Sequence, residues 1–600
     1  MMRKMKGKRS AKRLLAVLLA AGLMAGVLSG CGKSAEGVGK EEPAKDVTEK
    51  IIQEPESEAA SVPKEEAMPE ETAQEVSEEA LEKETDAGAY EEQTATTDEY
   101  RNTAEKSMAA ADWAPTNGEN CWVEVPEGGC GLSGEEYEKA EENGFFLTEV
   151  QPLSTFSADV DTASYANVRR MIEDGYALDE IPADAVRTEE FINYFSYDLK
   201  LPRRGELFGV TTEIAPCPWN DEHHLMMVGM KTEAIDMSEA PDSNLVFLLD
   251  VSGSMSDDDK LPLLQDSFKE LVGELGKNDT VSIVTYAGGV ETVLKGATGN
   301  EKEKICEAID ELYAEGGTNG EDGIQRAYKL AESYFIKGGN NRVILATDGD
   351  LNIGISEPDE LEKFIEKKRE SGIYLSVLGF GTGNIKDNNM ERLADCGNGN
   401  YAYIDSLFEA KKVLVEEMGA TLLTVAKDVK LQVEFNPGKV NAYRLIGYEN
   451  RMLDAMDFHD DTKDAGEIGA GHTVVALYEL IPVGSRDEIA LKYQGNKETE
   501  DKRKLRYSAE FATVSIRYKE PDKNRSKLKA YVVDEGDWAK NPSDDYVFAS
   551  LVAEFAMILS DSPNKGDATL EGIMENYSML NIDDEYKEEF YYLVKLMAKR

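Results

Sequence analysis

The spacing of apolar residues changes along the chain and sets one region apart. Between 241 and 420, apolar runs of strand length alternate with helical stripes. The runs lie at 244–249, 280–286, 341–347, 373–380 and 400–404, and the stripes at 261–275, 301–313, 323–335, 358–371 and 408–418. Continuous apolar strands joined by helices are typical of parallel sheets that are covered on both faces. The pattern therefore predicts an α/β domain with a doubly wound, mostly parallel sheet and helices on both faces.

The regions on either side have a different pattern of apolar and polar residues. Residues 111–240 mix both signals, with a strand entering a helix at 156–172 and a helical stripe at 186–197. Residues 421–525 alternate apolar and polar positions, which is typical of half-buried antiparallel strands. These strands are predicted at 429–435, 443–448, 473–480, 489–493 and 512–518. Residues 526–600 show helical spacing. The sequence therefore predicts a mixed α/β region, a β-rich domain and a helical C-terminal region flanking the central domain.

The N-terminus has the charge and hydropathy pattern of an export signal. Seven Lys/Arg lie within the first 13 residues, followed by an apolar run at 14–28 and by Leu28-Ser29-Gly30-Cys31. The run is shorter than the ~20 residues of a membrane-spanning helix. Its end resembles the bacterial lipoprotein signal, in which the Cys carries the lipid; an uncleaved anchor and ordinary cleavage are the alternatives. We therefore expect residues 1–31 to be a signal peptide and Cys31 to anchor the protein at the cell membrane, facing outside the cytoplasm.

Charge and cysteine content add three expectations. Residues 41–100 contain 21 Asp/Glu against 4 Lys, so 32–110 is predicted to be a disordered acidic stalk; a calcium- or partner-binding acidic tail is the alternative. The net charge of −51 over 600 residues argues against nucleic acid as a partner. Cys121 and Cys130 bracket a short loop with glycines and are the best candidates for a disulfide.

Oxygen-bearing side chains gather in three loops of the predicted parallel sheet. Asp250, Ser252 and Ser254 follow the first strand, Thr318 lies in the loop 316–320, and Asp348 follows the strand at 341–347. The carboxyl ends of parallel strands meet at one edge of a sheet, where ligands bind. Hydroxyls and carboxylates without His or Cys suit a hard cation such as Mg²⁺, Mn²⁺ or Ca²⁺. Plain capping and turn chemistry is the alternative.

These loops resemble the metal-ion-dependent adhesion site of von Willebrand factor type A domains. DVSGS (250–254), GGTN (316–319) and ATDGD (346–350) match it in order, spacing and strand context. The resemblance implies five metal ligands and a metal shell completed by an Asp or Glu carboxylate from a partner protein. The implied ligands are Asp250, Ser252, Ser254, Thr318 and Asp348.

Two other acidic pairs need a separate interpretation. Asp257 and Asp258 resemble the adjacent metal site of integrin β subunits, but acidic residues are also favoured at a helix start, which is the interpretation we prefer. Asp159 and Asp161 fall short of the DxDx[TV] signature of phosphoaspartyl hydrolases because the fifth position is Ala163. We expect turn or capping roles for this second pair.

The resemblance extends beyond the type A domain. STFSADVDTASYANVRRMI, AVRTEEFINYFSYDL, AYRLIGYENR and DAGEIGAGHTVVALYEL are similar to the bacterial group of YfbK-like lipoproteins, over about residues 150–600. This similarity implies the architecture of the chain. The lipid signal, the acidic stalk and the metal-site motif together indicate a membrane-anchored protein that binds a protein ligand through a divalent cation. An envelope scaffold in which the metal is only structural is the alternative. The sequence has no recognisable nucleophile elbow, P-loop or zinc motif, so an enzyme is the least favoured class.

Overall fold

The computed structural model describes most of the chain from Gly134 onward. The described residues are 134–139, 141–158, 160–235, 240–317, 320–349, 358–417, 423–463, 465–489, 504–505, 508–521, 523 and 525–600. All of them belong to one unit, Trp122–Arg600. The predicted signal peptide and acidic stalk lie outside these residues. So do Cys31, Cys121, Cys130, Asp159 and Thr318.

Strands and helices alternate in the middle of this unit, and strands predominate on either side. The strands are β1 (Phe146–Leu147), β2 (Leu153–Ser157), β3 (Phe208–Cys217), β4 (Asn220–Thr232), β5 (Ser243–Asp250), β6 (Thr280–Tyr286), β7 (Val290–Thr298), β8 (Asn340–Thr347), β9 (Tyr374–Phe380), β10 (Tyr401–Ile404), β11 (Thr424–Phe435), β12 (Val440–Ile446), β13 (Ile468–Gly469), β14 (Thr473–Pro482), β15 (Glu510–Lys519) and β16 (Lys527–Asp534). The α-helices are α1 (Ala163–Glu173), α2 (Thr188–Asn193), α3 (Leu261–Glu274), α4 (Lys302–Asp310), α5 (Gly320–Ser333), α6 (Pro358–Glu370), α7 (Asp387–Cys396), α8 (Leu407–Lys411), α9 (Asp544–Leu559), α10 (Leu570–Tyr577) and α11 (Glu585–Met597). Among the helices of the described residues, none combines the length and the apolar character that a membrane span needs.

The central sheet has the strand order β10-β9-β8-β5-β6-β7. Its pairings are parallel except for β7, which runs antiparallel to β6. Strand β5 shows why helices cover both faces, because Leu245 and Phe247 enter one apolar core while Val246 and Leu248 enter the other. One core also contains side chains of α3, α4 and α8, and the other contains side chains of α5, α6 and α7. The predicted doubly wound α/β fold is therefore confirmed.

The flanking strands form two antiparallel sheets that pack face to face. One sheet has the order β1-β12-β14-β4-β3, and in the other β11 pairs with β2, β13 and β15, with β16 next to β15. Strand β14 is buried on both faces: Val474 and Ala476 enter the core between the two sheets, whereas Val475 and Leu477 face the helices. Both sheets combine strands from before and after the central domain.

The helices α1, α2, α9, α10 and α11 cover the outer face of the first sheet. The structure differs here from the sequence prediction in two ways. The predicted helical region 526–600 begins with the strand β16, whose alternating exposed residues mark a sheet edge. The long hairpin β3–β4 was not predicted either, because most of β4 is buried and lacks the alternating pattern of a half-buried strand.

Buried ion pairs join the flanking regions to the central domain. Arg169 on α1 contacts Asp405 at 2.6 Å, just before α8, and Glu409 at 2.7 Å, within α8. Arg187, just before α2, contacts Asp387 at 2.7 Å and Glu391 at 3.1 Å, both on α7. Because these guanidinium groups are buried with their carboxylates, we treat the contacts as one junction cluster. Its members are Arg169, Arg187, Arg451, Asp161, Glu190, Asp387, Glu391, Asp405 and Glu409.

The junction cluster accounts for Asp161. Its Oδ1 accepts a hydrogen bond from the backbone N–H of Tyr401 at 2.9 Å, and its Oδ2 contacts Arg451 at 3.1 Å. Burial raises the pKa of Asp161 well above its usual range, whereas Arg451 lowers it. Asp161 therefore ties the edge strand β10 to the second flanking region, which is a structural role.

Candidate functional site

The first loop of the candidate site follows β5. Asp250 ends the strand, is fully buried, and accepts a hydrogen bond on Oδ1 from the Ser252 N–H at 2.9 Å. The hydroxyls of Ser252 and Ser254 lie 3.0 Å apart. Ser252 is buried and Ser254 is half-buried, so the group has one side toward solvent. The loop therefore brings one carboxylate and two hydroxyls together at the carboxyl end of a central strand.

The second loop touches the first through backbone hydrogen bonds. The N–H of Glu315 donates to the carbonyl of Val251 at 2.8 Å, and the N–H of Gly253 donates to the carbonyl of Gly316 at 3.1 Å. The predicted ligand Thr318 lies two residues beyond Gly316 and outside the described residues. The structure thus brings the loop of Thr318 to the site and leaves the position of its side chain a prediction.

The third loop follows β8 and carries Asp348. Strand pairing places Leu249 opposite Ala346, so Thr347 lies opposite Asp250, and the Thr347 hydroxyl donates to Asp250 Oδ2 at 3.2 Å. Asp348 is the next residue and is 1% exposed. The structure therefore brings four of the five predicted ligands, Asp250, Ser252, Ser254 and Asp348, to the same edge of the sheet.

A loop after β9 closes the side of the site next to Asp348. Asn384 Nδ2 donates to Asp348 Oδ2 at 3.4 Å. The backbone of the two loops is so close that a Cβ added to Gly349, which has a φ of +99°, would lie 2.4 Å from the carbonyl oxygen of Asn384. The glycine of the ATDGD motif is therefore required both by its left-handed backbone and by this close approach.

Lys260 is a site residue that the sequence analysis missed. Its ammonium contacts Asp348 Oδ2 at 3.0 Å, and the side chain is buried at the start of α3. A lysine directly after three aspartates looks like part of a solvated charged run. The available signal was its place just before the apolar stripe of α3, where the helix turns the side chain inward.

The donor set suits a hard divalent cation. It consists of two carboxylates and two hydroxyls, and oxygen donors of this kind suit Mg²⁺ or Ca²⁺. The pKa of Asp250 is raised to about 6, because burial and, to a lesser extent, the nearby Asp348 carboxylate outweigh the lowering effect of the hydrogen bonds from Ser252 and Thr347. A cation would favour the ionised carboxylate. In the described part of the chain, no group of three or more His, Cys, Asp or Glu side chains is arranged to bind a metal ion.

Asp257 and Asp258 lie in the turn before α3 and are exposed. The carbonyl of Asp257 accepts a hydrogen bond from the Lys260 N–H at 3.0 Å, and the helix begins at Leu261. These positions match the expected approach to a helix. A second metal site at these residues stays an untested alternative.

Family models match three consecutive stretches of the chain. A model described as von Willebrand factor matches residues 132–227, and one described as von Willebrand factor type A domain matches 244–417. A third, described as the C-terminal region of the uncharacterized protein YfbK, matches 420–599. The middle match covers the strands of the central sheet, from β5 to β10.

Individual proteins show the same likeness. The chain is 42% identical over 470 residues to the uncharacterized protein YfbK of Escherichia coli (strain K12), covering 77% of this chain and 80% of that protein. A von Willebrand factor type A structure from Catenulispora acidiphila is 15% identical with a TM-score of 0.37, covering 67% of this chain and 91% of its own. Proximal thread matrix protein 1 from the mussel byssus, with a zinc-occupied MIDAS motif, is 24% identical with a TM-score of 0.25, covering 30% and 45%.

Proposed function

The chain belongs to the YfbK family of von Willebrand factor type A proteins, and on this basis we propose that it binds a protein ligand through a divalent cation. The observation that carries the proposal is the convergence of Asp250, Ser252, Ser254 and Asp348 at one sheet edge. These residues, together with Thr318, would hold Mg²⁺, Mn²⁺ or Ca²⁺. The cation, when bound, supplies a Lewis-acidic position for an Asp or Glu carboxylate of the partner.

The chain's own groups favour binding over catalysis. The Ser252 and Ser254 hydroxyls hydrogen-bond to each other, and Asp250 accepts from the Ser252 N–H and the Thr347 hydroxyl. A nucleophilic serine needs a positioned base that takes its proton. Here the carboxylate receives hydrogen bonds that orient the loop, so the proposed role of these serines is to present oxygen ligands.

Isothermal titration of the EDTA-treated protein with Mg²⁺ tests the metal proposal. We expect saturable binding of one ion per chain in the intact protein and its loss in Asp250→Ala. Asp266→Ala is a matched control, because it removes an exposed aspartate on α3. Equal binding by the intact protein and Asp250→Ala would show that the ion binds elsewhere.

The lipid anchor forms a second part of the proposal. The N-terminal charge pattern and the Leu28-Ser29-Gly30-Cys31 sequence support attachment of the protein to the outer face of the cell membrane through Cys31. Fractionation of cells expressing the full chain tests this. We expect the intact protein in the membrane fraction and Cys31→Ser outside it. Equal membrane retention of both would contradict the lipid anchor.

A scaffold with a structural metal is the second candidate, and the junction cluster favours it. Buried ion pairs join the central domain to both flanks, as a rigid architectural protein requires. Capture of envelope proteins on the immobilised chain separates the candidates. A partner that elutes with EDTA supports metal-dependent binding, whereas a partner that stays bound in EDTA supports the scaffold.

A further inference from the structure

A lysine ammonium neutralises one of the two carboxylates of the candidate metal site. Lys260 Nζ lies 3.0 Å from Asp348 Oδ2, and the two residues are 4% and 1% exposed. A buried carboxylate without a counter-charge is strongly disfavoured. The pair therefore satisfies Asp348 without any metal.

Two backbone hydrogen bonds and the loop after β9 hold Lys260 in this position. Its N–H donates to the carbonyl of Asp257 at 3.0 Å, and its carbonyl accepts from the Leu264 N–H at 2.8 Å at the start of α3. Its aliphatic stem passes over Gly381, whose φ is +72°, and a Cβ added there would lie 2.2 Å from Lys260 Cγ. The glycine thus leaves the space through which the lysine reaches Asp348.

We infer that Lys260 is a built-in counter-cation that lowers the affinity of the site for the metal and leaves the loaded site positively charged for an acidic ligand. The charges explain the effect: two carboxylates and one ammonium sum to −1, so a divalent ion brings the site to +1. Without the lysine, the same ion would bring the site to 0. A net positive site attracts a partner carboxylate more strongly than a neutral one. The inference rests on the proposed function, since it concerns how that site chooses its ligand.

Calorimetric titration with Mg²⁺ alone tests the inference. Lys260→Met keeps most of the length of the stem and removes the charge. We expect the Kd for Mg²⁺ to fall by about tenfold or more in this variant, because a nearby positive charge no longer opposes the ion. Lys269→Met is the matched control, since Lys269 lies on the same helix with its ammonium partly exposed. The control should bind Mg²⁺ like the intact protein.

Thermal unfolding supplies a second measurement that is independent of ligand binding. In EDTA, Lys260→Met should unfold at a lower temperature than the intact protein, because Asp348 loses the buried ammonium that balances its charge. Mg²⁺ should then raise its unfolding temperature more than that of the intact protein. If Lys260→Met does not fold in EDTA, Lys260→Gln, which keeps a polar donor, should show the same two changes.

The outcomes separate the inference from the proposed function. If the intact protein binds Mg²⁺ and Lys260→Met binds it equally or more weakly, the role of Lys260 is wrong and the metal site stands. An equal change in Lys269→Met would also overturn the inference, because the effect would then be a general effect of charge. If neither the intact protein nor Lys260→Met binds the ion, the proposed function fails and the inference fails with it.

Discussion

The junction cluster and the candidate metal site both bury carboxylates, but they satisfy them differently. At the junction, Arg169 contacts Asp405 at 2.6 Å and Glu409 at 2.7 Å. At the metal site, Asp250 is held by neutral donors, the Ser252 N–H and the Thr347 hydroxyl. At the junction, guanidinium groups pair with the carboxylates. At the metal site, Asp250 has neutral donors and keeps its negative charge for a cation.

The difference follows from where each region lies. The junction is built by side chains of α1, α7 and α8 and the segment before α2, and planar guanidinium groups can bond two carboxylates at once. The metal site is built by loops at the carboxyl edge of the sheet, where the Ser252 N–H and the Thr347 hydroxyl donate to Asp250. The arginines of the junction therefore join the domains, whereas the hydroxyls and the carboxylates of the metal site would bind an ion.

Removing a junction arginine should have the largest effect on stability. Arg187→Met leaves Asp387 and Glu391 with one fewer cation in a buried place. We expect the free energy of unfolding to fall by about 3–5 kcal/mol, because an unpaired buried charge is costly. Urea denaturation followed by circular dichroism measures this.

Arg392→Met is the control for this prediction, because Arg392 pairs with Glu362 on the surface and is 54% exposed. Exposed pairs contribute less than about 1 kcal/mol. Equal losses in the two variants would mean that the junction is no more than a set of surface pairs.

Mg²⁺ should stabilise the protein through the metal site and leave the junction unaffected. At one hundred times its Kd, a ligand that binds only the folded state adds about 2.7 kcal/mol to the free energy of unfolding. We expect this gain in the intact protein and a clear loss of it in Ser254→Ala, which removes one hydroxyl ligand. Urea denaturation in Mg²⁺ and in EDTA gives the difference.

Arg187→Met tests whether the junction cluster and the metal site are independent of each other. It should start from a lower stability and yet retain the full Mg²⁺ gain, since its partners belong to the junction cluster. Loss of the Mg²⁺ gain in Arg187→Met would show that the two regions are coupled.

The central sheet was predictable from the sequence, and the flanking sandwich was predictable only in part. Strand β6 was predicted at its observed bounds, because its apolar run is buried on both faces and stands between two helical stripes. Strand β7 was missed because it is a half-exposed edge strand with little apolar periodicity. The mixing of strands from both flanks in one sheet depends on contacts between residues far apart in sequence, which no local pattern reports.

The residues of the candidate site could likewise be predicted from the sequence only in part. Asp250, Ser252 and Ser254 lie within five residues, so local spacing and strand context were enough to predict their proximity. Lys260 contacts Asp348, which lies 88 residues away in the sequence, and its side chain passes over Gly381 in the loop after β9. Such a contact depends on the tertiary arrangement of α3, β8 and β9, and the sequence showed only a charged residue beside other charged residues.

Glu554 is a third kind of buried carboxylate, which differs from those of the junction cluster and of the metal site. It lies on α9, is 5% exposed, and its Oε2 has no hydrogen-bond partner among the described residues. Burial raises its pKa to about 7 from 4.5. Because the pKa is higher in the folded than in the unfolded protein, folding favours the protonated carboxyl. Its contribution to the free energy of unfolding is complete below pH 4.5 and is lost as the pH rises through 7.

Glu554→Gln should therefore be more stable than the intact protein at pH 8 by about 1–2 kcal/mol and similar to it at pH 4.5. Urea denaturation at the two pH values measures the change. Glu362→Gln, a change at an exposed ion pair, is the control and should show no comparable gain at pH 8. An equal benefit of Glu554→Gln at both pH values would mean that ionisation of Glu554 is not the cause.

The smallest effect is expected at Asn384, where the loop after β9 meets the metal site. Its Nδ2 lies 3.4 Å from Asp348 Oδ2, which is long for a hydrogen bond, and the contact is only partly buried. Asn384→Ala should lower the free energy of unfolding by less than about 1 kcal/mol and change the Kd for Mg²⁺ less than Lys260→Met does. The same calorimetric titration compares the two. If Asn384→Ala had the larger effect on Mg²⁺ binding, the Asn384 amide, and not the lysine ammonium, would govern how Asp348 meets the ion.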